Sequence, residues 1–199
     1  MTPADIINAA RGILNDRDAV NYRYSDADLL EYVNDAVRAT ATLRPDLYLT
    51  VGDYTCVGGQ CEQSLNFEDA LALKEVLCIH GGNALLPFNI AEMDAFNPGW
   101  RDDPAGPAVQ WAKLADDPLR FYVYPKAPAS QVIDVRYIRA PVKYAVHDMM
   151  VDIPVAFMPA FVDYVVGMAE TRDDDHVVSQ RSAQFLKQFA ARLGAKTTV

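Results

Sequence analysis

Apolar residues recur along this chain in two rhythms, and the change from one to the other divides it. From Thr2-Pro3-x-Asp5 onward, Ile6, Ala10, Ile13 and Leu14 fall on one face of a helix ending near Asn15. Thr2 is the expected N-cap, Pro3 suits the first turn, and Asp5 favours the positive end of the helix dipole. The next stretch, Y-S-D-A-D-L-L, predicts a second helix. Ser25 is its N-cap, Asp28 holds the capping-box position, and Tyr24 and Leu29 have hydrophobic-staple spacing. Leu29, Val33 and Val37 continue the buried stripe until Arg44-Pro45, where the residue before proline is pushed out of the α region.

From about Leu47 to Val146 the period shortens. Turn signals stand at Gly58-Gly59, Gly81-Gly82-Asn83, Asp116-Asp117-Pro118 and from Pro125 to Ser130. Between them lie β-type runs: 75–80, 109–114, 119–124 and 132–138, the last two alternating through Phe121, Val123, Ile133, Val135 and Tyr137. One short helix is expected near 90–96. After Pro154 the helical period returns, with Met158, Phe161, Val162, Val165 and Met168 on one helix and Pro159 in its first turn. Val178, Phe185, Phe189 and Leu193 mark the last helix, closed by Gly194 in the C′ role. These elements predict an α+β fold: terminal α-helices packed as a small bundle, with a large antiparallel β-rich insertion between them. The helical part is expected at 1–46 and 147–199 and the insertion at 47–146, within one compact chain.

Composition narrows the function classes. The 199 residues are 51% hydrophobic, enough for one sizeable core or two small subdomains. A formal charge of −9 disfavours nonspecific binding of nucleic-acid backbone by the surface as a whole. The N-terminus lacks the basic and apolar regions of a secretion signal. The most apolar window, 153–169, is broken by two prolines and Asp163 and is shorter than the ~20 residues of a spanning helix. With three cysteines and no glycosylation sequon, the expectation is a soluble protein made in a reducing compartment, without a membrane.

Candidate chemistry thins out on inspection. R-D-D-D-H, from Arg172 to His176, has metal-ligand residue types, but consecutive helical residues point about 100° apart and do not converge on one ion. It reads as a polar joint between the last two helices, with Ser179 a further candidate cap. Cys56 and Cys61 flank Gly58-Gly59. A two-residue turn there would set the cysteines opposite one another in a hairpin, as reduced thiols or a disulfide. A zinc site would need Cys78 and His80, whose C-x-H spacing is not a usual second half. His80, His147 and His176 form no metalloprotease pattern, and no nucleophile elbow or phosphate loop occurs. Acids such as Asp26, Asp28, Asp102 and Asp103 are expected to be solvated, and Phe121, Tyr122 and Tyr124 to serve packing rather than base stacking. No catalytic residue, cofactor or metal is expected, and the chain is not read as an enzyme. One asymmetry remains: from Arg181 to Val199 there are four basic residues and no acidic one. This is either favourable placement of cations near a helix C-terminus or a docking edge for an acidic partner.

Two segments together resemble the head-to-tail adaptor (connector) proteins of short-tailed bacteriophages, the tail tubular A-like proteins. The first is A-R-G-I-L-N-D at 10–16, R-Y-S-D-A-D-L-L-E-Y-V-N-D-A-V-R at 23–38 and L-R-P-D at 43–46. The second is I-P-V-A-F-M-P-A-F-V-D-Y-V-V at 153–166, continuing through A-E-T-R-D to Asp173 and ending Q-F-x-x-x-L-G at Gly194. Gly167 and Met168 depart from the family, which tends to a larger aromatic and a basic residue there.

The resemblance implies a structural virion protein of the neck or tail, assembled in the host cytoplasm. It implies a twelve-fold ring between the portal protein and the tail nozzle protein, the helical part toward the portal, with DNA passing through unrecognised. The cationic segment, Arg181, Lys187, Arg192, Lys196 and the tail to Val199, is then the expected portal-docking element. The competing readings are another neck or head-completion component, a metal-dependent enzyme at the acid-rich joint, and a nucleic-acid-binding module using the basic stripe.

Overall fold

Thr2 and Asp5 close a reciprocal capping box at the head of the first helix: Thr2 Oγ1 accepts from Asp5 N at 3.3 Å, and Thr2 N donates to Asp5 Oδ2 at 2.8 Å. The computed structural model describes residues 1–171 and 179–194. The chain divides into two units, Met1–Tyr48 with Pro141–Val199, and Leu49–Ala140. The R-D-D-D-H run, Lys196 and Val199 lie outside the described residues.

In the first unit, α1 (Pro3–Leu14) ends at Asn15, which takes the left-handed conformation at φ 54°. Its buried face is Ile6, Ile7, Ala10 and Arg11, while Ile13, expected inside, is 43% exposed. The guanidinium of Arg11 takes the place foreseen for an apolar side chain. It pairs with Asp16, donates to Tyr24 O at 2.9 Å and to Asp26 Oδ1 at 2.7 Å, and lies 3.5 Å from the centre of the Tyr22 ring. Asp16 also accepts from the backbone N–H of Arg23 and Tyr24. The buried Arg11–Asp16 pair therefore shapes the link into α2 (Asp26–Leu43), while Asp26 stays exposed to solvent and also pairs with Arg11.

Ser25 caps α2, its Oγ accepting from Asp28 N at 3.1 Å and donating to Asp28 Oδ2 at 2.8 Å. Buried Asn34 ties the returning chain to α2: its amide donates to Tyr144 O at 3.1 Å and accepts from Tyr144 N at 2.8 Å. With α4 (Met158–Thr171) and α5 (Ser179–Arg192), these helices enclose a core including Ile6, Leu29, Val33, Phe161, Val165 and Phe189. Gly194, at φ 75°, follows α5 and donates to Ala191 O at 3.0 Å.

The second unit holds two sheets that share a core. In the first, β1 (Leu49–Thr55) and β3 (Ala70–Ile79) flank β7 (Val132–Arg139), both antiparallel to it. In the second, the order is β2 (Glu62–Ser64), β6 (Arg120–Tyr124), β5 (Gln110–Lys113) and β4 (Leu86–Pro87), with β4 parallel to β5. Tyr54, Leu73, Ile133 and Val135 of one sheet meet Trp111, Phe121 and Val123 of the other. The helix α3 (Ile90–Phe96) is capped by Asn89, whose Oδ1 accepts from Ala91 N at 2.9 Å. Tyr122 and Tyr124 pack edge-on against fully buried Trp100, at 5.4 and 6.0 Å between ring centres.

The Cys56–Cys61 hairpin does not form. β1 leads into the first sheet and β2 into the second, so the cysteines are not cross-strand neighbours. The side chain of Gln63, 1% exposed, fills the space a ladder would use: it accepts from Val57 N at 2.7 Å and donates to Val57 O at 3.1 Å and Gln60 O at 2.9 Å. Gly59 takes φ 74°, and a Cβ on Gly58 would stand 2.7 Å from Ala129 Cα.

Candidate functional site

Of the residues foreseen as a docking edge, Arg181, Lys187 and Arg192 lie along α5, and their charges are not equally available. Arg181 Nε is 3.2 Å from Glu170 Oε1 on α4, and its guanidinium lies 5.7 Å from the Phe185 ring centre. Arg192 Nε is 2.9 Å from Asp163 Oδ2, an ion pair without hydrogen-bond geometry. Asp163 is buried, and burial pushes its carboxyl above the usual carboxylate range while Arg192 pulls it back. Arg192 is therefore the counter-charge of an internal acid. Lys187 is exposed and has no ion pair with a described residue.

The acids that engage Arg181 and Arg192 were missed by sequence reasoning. The signal for one was present, because Asp163 interrupts an apolar run and a buried carboxylate requires a partner. The partner's identity depends on how α4 and α5 cross. They cross closely at Gly167, whose carbonyl accepts from Thr171 Oγ1 at 2.8 Å and from Ser182 Oγ at 2.9 Å. A Cβ there would lie 3.1 Å from Leu186 Cγ and 3.3 Å from Phe185 Cβ. The small residue at position 167 is the one that admits α5.

Cys56, Cys61 and Cys78 are free. Burial pushes the Cys56 thiol up to about 11 and also raises that of Cys61. The neutral forms of these two thiols are thereby favoured, against the thiolate that zinc binding requires. Among the described residues, no helix is long and apolar enough to cross a membrane.

The SU10 adaptor protein family model matches residues 1–199. The chain belongs to that family. It is a phage head-to-tail adaptor of the kind found in short-tailed phages, and thus a structural component of the virion neck. No curated protein matches the chain. For an adaptor, the informative surfaces are those that meet other virion proteins, and α5 with its single uncommitted lysine among the described residues is one candidate.

Proposed function

We propose that this adaptor closes into a twelve-fold ring between the portal and the tail nozzle, and that the helical unit docks on the portal. The family match over the full chain carries this reading. A head-to-tail contact repeated by rotation closes a ring, and the ring leaves a central passage for DNA. The C-terminal cations Arg181, Lys187, Arg192 and Lys196, with the tail to Val199, supply the docking charge; the β-rich unit, with its sheet edges at β1, β3, β2 and β4, faces the nozzle. Assembly takes place in the host cytoplasm.

Ion pairing within the helical unit sharpens the docking test. Lys187→Glu reverses an exposed charge without disturbing an internal pair, so it is expected to weaken portal binding about tenfold at moderate salt with an unchanged melting temperature. Arg192→Glu is expected to lower both, because it also sets a second anion beside Asp163. Portal affinity by surface-immobilised binding, and mass with and without portal, are the measurements. Wild-type affinity for Lys187→Glu would remove the docking role, and a ring order other than twelve on the portal would remove the stoichiometry.

A further inference from the structure

The outward face of the three-stranded sheet carries one balanced charged rung and one unbalanced rung. On the first, Arg136 of β7 pairs with Glu75 of β3. On the next, Asp53 of β1 stands directly opposite Asp134 of β7. Like charges at that position oppose strand pairing. Neither carboxylate pairs with a lysine or arginine among the described residues. What reaches them is His80, just beyond the end of β3. Its Nδ1 lies 2.8 Å from Asp134 Oδ1 and 3.6 Å from Asp53 Oδ1. A backbone bond from His80 N to Val132 O, at 3.0 Å, holds the residue in place. The second oxygen of Asp134 accepts from the Cys78 thiol at 3.3 Å.

We propose that Asp53, His80 and Asp134 form a binding site for one divalent transition-metal ion of the zinc type. The three donor atoms lie within 4.8 Å of one another, each from a different strand or its immediate end. A tetrahedral ion with bonds of about 2.0–2.1 Å holds its donors roughly 3.3 Å apart, and the two measured separations to His80 bracket that value. One imidazole with two carboxylates suits zinc-like ions, whereas calcium takes six to eight oxygens, more than this face offers. The Cys78 hydrogen bond orients Asp134 as a ligand's outer partner does, and the fourth position is left to water. A dication between Asp53 and Asp134 converts their repulsion into a clamp across β1, β7 and β3. Sequence spacing hides the set: His80 sits beyond three register shifts in β3, and Asp53 and Asp134 meet only through strand pairing.

The test uses the tag-free full-length chain stripped with chelator. Calorimetric titration with zinc ions is expected to give one equivalent bound, and thermal unfolding with zinc present is expected to show a raised melting temperature. Asp53→Asn and His80→Gln should each weaken binding tenfold or more and abolish the melting shift. Both side chains are exposed, so the variants should keep the wild-type circular dichroism spectrum. Cys78→Ser, which retains a donor to Asp134, should keep the one-to-one stoichiometry. Absence of saturable zinc binding, unchanged binding by His80→Gln, or a preference for calcium over zinc would each overturn the site.

Discussion

Asp163 is a carboxylate inside a helical core, and a single guanidinium answers it. Removing that guanidinium leaves a buried acceptor without its counter-charge, a loss of about 1–3 kcal/mol. The effect has a pH signature. Burial raises the carboxyl of Asp163 in the folded state, so the folded chain holds this proton more strongly than the unfolded chain does. Stability therefore falls as pH rises from the unfolded value through the folded one. Arg192→Ala extends that window upward, because the arginine pulls the folded value down. The variant should thus lose most stability near neutral pH and recover it as pH falls toward the ordinary carboxylate range. Melting temperatures of wild type and variant between pH 4 and 7.5 measure this; a constant gap would refute it. Asp163→Asn combined with Arg192→Ala should remove the pH dependence of the gap.

At the scale of elements, the helices were legible and part of the sheet was not, for identifiable reasons. Ser25 and Thr2 announce their helices because a cap acts on residues three positions away. β1 hides because its alternation is inverted: Leu49 and Val51 face outward while Gly52 and Tyr54 face in. Gly52 has to be small, since a Cβ would stand 3.0 Å from Phe67 and 3.2 Å from Tyr137 side-chain atoms. Only 75–80 of β3 reads as a strand from the sequence, because its register shifts interrupt the period of two. Arg11 could not be assigned to the core from its residue type, since only the loop carrying Asp16 and Tyr24 makes its burial tolerable. Gly167 shows how an element pair depends on one position. Introducing a bulky side chain, as in Gly167→Leu, should overpack the α4–α5 crossing and cost about 1–3 kcal/mol. Gly167→Ala is the milder case, because Leu186 is a flexible neighbour and alanine gains helix propensity. Urea midpoints for the two variants should separate clearly; equal midpoints would mean that the helices move apart at no cost.

For the molecule as a whole, charge bears on the proposed passage of DNA. The net charge is −9, and the one basic stretch has already lent two of its cations to acids on α4. Phosphate binding releases condensed counterions in proportion to the contacts made, so a protein that gripped DNA would show affinity falling steeply with salt. A passage through which DNA slides requires the opposite. The free adaptor is expected to show no saturable binding to labelled duplex DNA at near-physiological salt. Any residual association at low salt should have a shallow dependence, on the order of one or two phosphate contacts. Fluorescence anisotropy over a series of salt concentrations measures this directly. A slope corresponding to six or more contacts would show a DNA-gripping surface and favour a nucleic-acid-binding module over a conduit. Lys187→Glu discriminates further: if Lys187 serves a protein partner, the variant should leave the DNA titration unchanged while portal affinity falls.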